Sequence, residues 1–505
     1  MNAHNAGPVA AALAIVAGVV VGQLLGPGSG ALMLIVAFAM LVVLVMIAGS
    51  RSTGSSGLRR VGVGLCLCAC GAAAMQRALD GLVHHSLANA VARGAAVELR
   101  GELVGDPAPS RFETTALVRV ADARVSRGGW QSVGRLVVVH ARGRVRGVLS
   151  ALDAADRVHL LGDIAELRGF DQRMRWKHAV AAVDLYELSG VSDASAHWRF
   201  ANWLRSIVQR GIDTMPQSDR GLLNGFLLGD TRAIDDATRS QYRAAGLSHL
   251  LAVSGANVAF VLSLAAPMLM RCRMGLRVTL GCCIVVLFAA MTRFEPSVLR
   301  ASFMALVTLT AQLSGRSVSA LRALCYAVGG LLLIDPFLVR SVGFQLSASA
   351  CLGIALFATR LSLRVPGPPL MQQTVGVSVA AQVGVAPVLL ATFGTVAWIS
   401  PAANLFAVPL AEPITVFGFP LAVMASVWRP AAVLLRPVGW ALHLISTIAR
   451  TATNSPGWLG IAAFLAVLLA AVSSSAVRQA PGQQPGQQPG PQAGPANFEP
   501  VDSDP

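Results

Sequence analysis

The chain has 505 residues, of which 54% are hydrophobic and only 13% are charged, and its mean hydropathy is +0.61. A soluble domain carries about 25% charged residues, so this composition excludes a purely soluble protein and predicts a polytopic membrane protein. The formal net charge is +15, and because Lys177 is the only lysine, the basic residues are almost all arginine. Since a GC-rich genome also produces such an excess, the positions of the arginines are more informative than their number.

Apolar segments occur in two blocks, which together predict about twelve transmembrane spans. The first block comprises 9–25, 31–48 and 61–75, and the second comprises 247–270, 278–291, 301–313, 323–338, 344–359, 375–394, 402–427, 433–448 and 458–475. Several segments are short or contain proline, so some are expected to be re-entrant or broken helices. We expect a break at Glu412, which stands between Pro409 and Pro413.

The arginines of the short loops predict the orientation, because cytoplasmic loops are enriched in Lys and Arg. With the loop holding Arg51, Arg59 and Arg60 inside, alternate loops carry thirteen arginines on the cytoplasmic side and four on the other. The protein is therefore predicted to lie in the inner (plasma) membrane with both termini in the cytoplasm. The long segment after Met75 is then extracellular.

That extracellular segment is the one predicted soluble domain, at 76–197. It contains five β-like runs separated by turn residues, at 97–104, 115–125, 133–141, 156–167 and 181–188. Five short strands predict a small antiparallel barrel, and an OB-fold is the obvious candidate. The predicted organisation is N-terminal transmembrane helices at 1–75, the OB-fold-like domain at 76–197, amphipathic interfacial helices at 198–245, a transmembrane domain at 246–475 and a disordered Gln/Pro/Gly-rich cytoplasmic tail at 476–505.

The first of the interfacial helices is predicted at 198–212. One helical face carries Phe200, Leu204, Ile207, Val208 and Gly211, while Arg199, Arg205 and Arg210 lie elsewhere. This pattern is typical of a helix lying on a membrane surface. A helix that packs on the bundle is the alternative.

A basic stretch lies within the soluble domain. Residues 123–152 contain six arginines and His140 but no acidic residue. Such a surface attracts polyanions, and an aromatic ring within it can stack on a base. The alternative is a solvated face or one that meets anionic lipid. The candidate nucleic-acid-binding residues are Arg124, Arg127, Trp130, Arg135, Arg142, Arg144 and Arg146.

Polar residues inside apolar helices are the second set of candidates, since they are costly in a membrane and tend to have a role. Interhelical hydrogen bonding explains any one of them equally well. The residues proposed to line a path through the membrane are Ser254, Gly255, Asn257, Arg300, Gln345, Ser349 and Asn404.

The sequence offers little for catalysis or metal binding. The eight cysteines lack metal-ligand spacing, and we find no phosphate-binding loop, metal-binding His/Asp cluster or Ser/His/Asp arrangement. We therefore expect no enzymatic activity, no metal and no cofactor.

Several long motifs occur in the same order as in a known family. The run from Leu227 to Asp230 (LLGD) and the run from Tyr242 to Val258 (YRAAGLSHLLAVSGANV) resemble the ComEC family, the inner-membrane DNA channel of natural competence. Further similarities are SVLRA from Ser297, GFQLS from Gly343 and PAANLFAVP from Pro401. Two departures are Asn257, where the family commonly has His, and the lack of the C-terminal metallo-β-lactamase-like domain that many members have.

The resemblance implies a channel that moves single-stranded DNA into the cytoplasm, with the extracellular domain capturing the strand. It also implies a separate extracellular DNA receptor, a cytoplasmic ATPase motor and a separate nuclease as partners, and it leaves the oligomeric state open. Two other functions remain as alternatives. These are a secondary transporter of a small solute, for which Glu412 is the lone candidate coupling acid, and a non-conducting envelope DNA-binding protein.

Overall fold

The computed structural model describes residues 3–28, 55–110, 112–126, 128–251, 253, 255–365, 367–394 and 399–454. Two of the predicted spans, 31–48 and 458–475, and the predicted tail at 476–505 lie outside these residues. The other ten predicted spans fall on described helices, but 247–270 is divided between two helices, Ser248–Leu251 and Gly255–Leu269.

Helices α1 (Ala3–Leu25) and α2 (Ser55–Val83) form a closely packed pair. Gly18 and Gly22 of α1 lie against the backbone of Cys68 and Ala72 of α2, where a Cβ atom would overlap the main chain. Small residues spaced four apart allow this approach, and van der Waals packing of this kind holds helices together within a membrane. Helix α2 is longer than predicted and extends to the soluble domain.

The soluble domain is a small barrel. Its elements are α3 (Ala88–Arg93), β1 (Ala96–Leu103), β2 (Ala108–Pro109), β3 (Thr114–Val125), β4 (Gln131–Ala141), α4 (Gly143–Ser150), β5 (Arg157–Ala165), a 3₁₀ segment (Gly169–Lys177) and β6 (Ala179–Ser192). All five predicted strands are confirmed, because each carries an alternating apolar pattern that can be recognised locally. The burial of β5, for example, alternates along its whole length.

The five long strands close on themselves in the order β1-β5-β6-β4-β3, with β3 pairing back to β1. The inward side chains form one apolar core, which includes Val97, Leu99, Val118, Val137, Leu160 and Ile164. The predicted barrel was antiparallel throughout, but β4 and β6 are parallel. This pairing arises because α4 and β5 intervene in the chain between β4 and β6, so that β6 returns beside β4 in the same direction.

Four helices connect the barrel to the second membrane block: α5 (Ala196–Ile212), α6 (Gln217–Leu228), α7 (Asp236–Ala244) and α8 (Ser248–Leu251). The second block itself contains α9 (Gly255–Leu269), α10 (Met274–Met291), α11 (Pro296–Leu313), α12 (Ala320–Ile334), a 3₁₀ segment (Pro336–Arg340), α13 (Val342–Ser362), α14 (Pro369–Phe393), α15 (Ser400–Val427), a 3₁₀ segment (Arg429–Leu435) and α16 (Arg436–Asn454).

Among the described residues, seven helices are long and apolar enough to cross a membrane, and α9 and α12 are shorter apolar helices. The protein is thus a helical membrane protein with a small barrel domain. The total of about twelve spans stays a prediction.

The expectation of a break at Glu412 is wrong, because α15 continues through Pro409, Pro413 and Pro420. Proline removes one hydrogen bond, but membrane helices tolerate it where neighbouring groups satisfy the freed carbonyl. Glu412 itself is exposed on the surface of α15.

Helix α5 packs on α15 and does not simply lie on a membrane surface. Gly211 sits against the main chain of Ala422, with no room for a Cβ atom. The apolar face predicted for this helix is only partly buried, since Phe200 is 50% exposed. Arg205, predicted to lie off that face, is instead only 3% exposed.

Candidate functional site

A buried arginine lies near the start of α11, in the second membrane block. Arg300 is on the second turn of α11 and is 5% exposed. Its Nη1 donates to the carbonyl of Ser347 at 2.7 Å and also contacts the Sγ atom of Cys351, both on α13. Its Nε has no hydrogen-bond partner, and no carboxylate pairs with it among the residues that the structure describes. The guanidinium charge is therefore uncompensated within this part of the chain.

The start of α9 is shaped to accept this guanidinium. Gly255, the first residue of α9, lies so close that an added Cβ atom would be 2.5 Å from Nη2 of Arg300 and 3.0 Å from the Cβ of Ala301. Only glycine leaves space for the charged group here. Ser254, the preceding candidate, lies outside the described residues.

The remaining candidates for the membrane path are distributed around this point. Asn257 is buried and donates to the carbonyl of Phe226 at 3.0 Å. Gln345 donates to the carbonyl of Val339 at 2.6 Å, and Ser349 donates to that of Leu346 at 3.1 Å. The structure thus brings Gly255 and Arg300 into contact, while Gln345 and Ser349 bond within or just before their own helix.

Asn404 belongs to a different contact. Its Nδ2 lies 3.3 Å from Oγ of Ser400, which donates to the carbonyl of Gly246 at 3.4 Å. The Oδ1 of Asn404 is buried and has no partner among the described residues. The motif containing Asn404 therefore holds the segment that leads into α8.

A cavity of about 240 Å³ adjoins Asn257 and is otherwise almost wholly apolar. It is lined by Leu227, Phe260, Phe288, Thr415 and Phe419, among others. It offers few polar partners for a hydrated or charged ligand.

In the barrel, most of the candidate arginines already have partners. Arg124 pairs with Glu98, and Arg142 contacts Glu113 through Nε at 3.0 Å and Nη2 at 2.9 Å. Burial would raise the pKa of Glu113, but Arg142 outweighs it and keeps that pKa below its usual value. The carboxylates lie earlier in the chain, Glu98 on β1 and Glu113 just before β3, which explains why the stretch 123–152 looked purely basic.

The other members of the predicted patch differ among themselves. Arg135 lies against Gly81 of α2, and Arg146 donates to the carbonyl of Ser110 at 2.7 Å. Arg144 is exposed, and Arg127 lies outside the described residues. The patch is therefore spread over several surroundings. Its role in binding a nucleic acid stays a prediction.

Trp130 lies among cationic side chains. The guanidinium carbons of Arg100 and Arg124 are 4.1 and 5.1 Å from the ring centroid, and the ring of His159 is 5.8 Å away. Such contacts hold an aromatic ring at a charged surface. Arg100 and His159 were not among the predicted candidates.

Both residues line a groove of about 660 Å³ on the outside of the barrel. Arg119 of β3 and Arg157 of β5 also line it, and both are directly opposite Glu102 of β1. These residues lie on three strands at outward positions. Their alternation could be read from the sequence, but only the strand pairing brings them together.

An ionic cluster joins the barrel to the helices, and no pattern in the sequence predicted it. Asp106, in the loop after β1, contacts Arg205 of α5 at 3.1 Å and Nη2 of Arg293 at 2.7 Å. Asp230, in the LLGD motif, contacts Arg205 at 3.1 Å and Arg232 at 2.6 Å. The two carboxylates and the three guanidinium groups are mostly buried and connect four segments that are distant in the sequence.

We call this set of residues the junction cluster; it comprises Asp106, Arg205, Asp230, Arg232 and Arg293. The pKa values of its two carboxylates are lowered. Burial would raise the pKa of Asp106, but Arg205 and Arg293 outweigh it and keep the pKa below its usual value. The pKa of Asp230 is likewise lowered, to about 2, because hydrogen bonds from Arg232 overcome burial.

Arg293 has a backbone φ of 58°, an uncommon conformation for a residue other than glycine.

A second contact holds the other side of the barrel. His178 Nε2 lies 3.0 Å from Oδ1 of Asp335, and its ring packs on Phe337 at 4.6 Å. Trp176 meets Phe337 edge-on at 5.5 Å, and Arg340 lies over the Trp176 ring. The barrel is therefore docked at the ends of α10 and α12 that carry residues 293 and 335.

The fold and these contacts define a helical membrane protein that carries a small barrel at one end of its bundle and a buried arginine with no carboxylate partner among the described residues. A family model described as "Competence protein" matches residues 226–478, which is half of the chain. The chain belongs to this competence protein family. The matched region contains Gly255, Asn257, Arg300, Gln345, Ser349 and Asn404.

Two curated proteins are each similar to about half of the chain. ComE operon protein 3 of Bacillus subtilis (strain 168) is 26% identical over 244 residues, which cover 48% of this chain and 30% of that protein. Uncharacterized protein YcaI of Escherichia coli (strain K12) is 27% identical over 272 residues, which cover 49% and 35%. The alignments thus span about a third of each relative. No solved structure matches the chain.

Proposed function

We propose that this protein forms a channel that moves single-stranded DNA into the cytoplasm during DNA uptake, and that the barrel captures the strand outside the membrane. Membership of the competence protein family supports a role in DNA uptake. The observation that favours a channel for an anionic polymer is Arg300. It is a buried arginine with no carboxylate partner among the described residues.

A charged side chain buried within a membrane bundle is costly, and acidic partners usually offset this cost. Here only a carbonyl and a thiol contact the guanidinium of Arg300. A passing phosphate would supply the missing negative charge, and Gly255 lets the start of α9 pack directly against the guanidinium.

The position of the site fits a path that begins beneath the barrel. Arg300 is five residues into α11, and the turn before α11 contains Arg293, which bonds to Asp106 of the barrel loop. The site is thus about two turns of helix from the docked barrel. A strand released by the barrel would meet this guanidinium soon after entering the bundle.

We further propose that the barrel is an OB-fold and lies outside the cell. The OB-fold is supported by the five strands, which close with a single parallel pairing, and by the helix that precedes the fourth long strand. The position outside the cell is supported by Arg273 and Arg316, which lie at the helix ends opposite the barrel, as a cytoplasmic face requires.

The proposal needs partners. Since the strand must be delivered and pulled, a separate extracellular DNA receptor and a cytoplasmic ATPase motor are the partners that we propose. A membrane potential that is positive inside substitutes for the motor in vitro, because the strand is negatively charged.

The test is entry of a labelled single-stranded oligonucleotide into sealed liposomes that carry the full chain. Arg300→Gln is expected to lower the rate of entry at least tenfold, and Arg300→Lys, which keeps the charge, should retain most of it. Arg316→Gln is the matched control, because Arg316 is exposed beyond the far end of the same helix. Thermal unfolding of each variant separates a loss of conduction from a loss of folding.

Other outcomes would contradict the channel. If the wild-type protein binds DNA but admits none, a non-conducting envelope binder is favoured. If a small solute enters and DNA does not, the transporter is favoured. Equal DNA entry with Arg300→Gln and wild type would remove Arg300 from the path.

A further inference from the structure

The groove on the barrel brings free cationic side chains together, whereas in the predicted patch several arginines are already paired. Arg119 and Arg157 are exposed and form no hydrogen bond or ion pair with any residue that the structure describes. In the predicted patch, by contrast, Glu98 and Glu113 already pair with Arg124 and Arg142. A phosphate bound to a free guanidinium does not have to displace a carboxylate, so the groove is the better site for a polyanion.

The charge of the groove is positive despite one acid. Glu102 lies between Arg119 and Arg157 in the sheet, directly opposite each of them on the neighbouring strands. Opposite residues have Cβ atoms about 4.5–5.5 Å apart, so the two arginine side chains begin on either side of Glu102. With Arg100, three arginines line the groove against Glu102.

The shape of the groove also suits an extended chain. Gly101, Gly134 and Gly190 contribute to its lining, and Gly134 has open space where a side chain would stand. Trp130 adjoins one side through its contact with Arg100, at 4.1 Å. An aromatic ring beside a basic groove is the combination that binds single strands without sequence preference, by stacking bases and neutralising phosphates.

The loops next to the barrel's other openings are occupied. The loop after β1 is held by Asp106 in the junction cluster, and the 3₁₀ segment before β6 packs through Trp176 on Phe337. In OB-folds, the corresponding two loops usually contact the ligand. Here both contact the membrane helices, which leaves the groove on β1, β3 and β5 as the accessible basic surface.

We infer that single-stranded DNA binds in the groove lined by Arg100, Arg119 and Arg157, with the adjoining Trp130 stacking on a base, and not on the paired arginines Arg124, Arg142 and Arg146. This inference rests on the proposed function and names the surface that performs the capture. The phosphates neutralise Arg119 and Arg157, which extend from β3 and β5 on either side of Glu102.

The test measures binding of a fluorescent 20-nucleotide oligo-dT to the full chain in nanodiscs of uncharged lipid, over a range of salt concentrations. The double variant R119Q/R157Q is expected to bind about tenfold more weakly at low salt. For single strands the slope of log K against log [salt] is about 0.7 for each phosphate contact. The slope should therefore fall by about 1.4 when two contacts are lost.

The matched control is R142Q/R146Q, which removes the same charge from two arginines of the predicted patch that already have partners. It is expected to leave the affinity and the salt slope unchanged. Both variants lie at outward positions of the barrel, and their thermal unfolding is compared with that of the wild type.

Each other result has a distinct meaning. If R142Q/R146Q weakens binding and R119Q/R157Q does not, the groove is overturned while the proposed capture stands. If the wild-type protein binds no oligonucleotide even at low salt, capture by the barrel fails as well. If anionic phosphatidylglycerol in the nanodiscs abolishes DNA binding, and R119Q/R157Q relieves this inhibition, the groove binds lipid head groups and the inference is wrong.

Discussion

The junction cluster predicts that a single uncharged substitution loosens the barrel from the bundle. In Asp106→Asn the side chain keeps its shape but loses the charge that faces Arg205 and Arg293. Asp106 is 8% exposed and the two arginines are 4% and 10% exposed. Removing one partner of a buried ion pair costs about 3–5 kcal/mol. Because Asp230 still contacts Arg205 at 3.1 Å, we expect the lower end, about 3 kcal/mol.

Amide hydrogen exchange of the full chain measures this loss locally. The amide of Ala154 donates to Oδ1 of Asp106 at 3.1 Å, so peptides covering 103–107 and 152–156 report on the junction. A loss of about 3 kcal/mol corresponds to roughly 150-fold faster exchange wherever opening of the junction controls it, since 1.4 kcal/mol is tenfold. Strand β5, in the core of the barrel, should keep its protection and serves as the internal reference.

Asp236→Asn is the matched control. Asp236 is 96% exposed and pairs with Arg239 at 3.1 Å on the surface, so its loss costs well under about 1 kcal/mol. If exchange at the junction is the same in Asp106→Asn and Asp236→Asn, the cluster does not hold the barrel, and our reasoning from burial is refuted.

The pH dependence of the junction follows from the same groups. The folded-state pKa of Asp230 is about 2, below its usual 3.8, and that of Asp106 is also lowered. A carboxyl group whose pKa is lowered on folding stabilises the folded state. This stabilisation is fully present when the pH is above the unfolded-state pKa, and it is lost as the pH falls through the folded-state pKa. At about 1.4 kcal/mol for each pH unit, Asp230 contributes about 2 kcal/mol above pH 4, which disappears toward pH 2.

Two glycine contacts give further predictions. Gly255→Ala should displace the guanidinium of Arg300, because the new Cβ atom would be 2.5 Å from Nη2, and DNA entry into liposomes should fall several-fold while the protein stays folded. Gly211→Val should overlap the carbonyl of Ala422 and destabilise the protein by at least about 1–3 kcal/mol, seen as less folded protein in size exclusion. Gly64→Ala, with nothing within 4 Å, should change neither measurement, and an effect of that size there would contradict both arguments.

Local pattern was enough to predict much of the fold. Strands such as β3 and β5 alternate apolar and polar residues, and each spanning helix is an apolar run, so both can be recognised within a dozen residues. The continuity of α15 could not be predicted in this way. Whether a helix continues past Pro413 depends on what surrounds the freed carbonyl, which belongs to other segments.

The same distinction between local pattern and tertiary contact applies to the candidate sites. Arg300 was recognisable because a charge inside an apolar helix is unusual wherever it occurs. The basic stretch from Arg124 to Arg146 was misleading about free charge, because Glu98 and Glu113, which lie earlier in the chain, pair with two of its arginines.

The sequence by itself determined that the protein is a membrane protein with one small barrel domain, because hydropathy and alternation are properties of short segments. Only the tertiary structure decided which charges are free. Arg205 meets Asp106 across 99 positions of the chain, and Arg119 and Arg157 meet in one groove through pairing with β1. Electrostatic partners are fixed by distance in space, and a linear pattern carries no record of that distance.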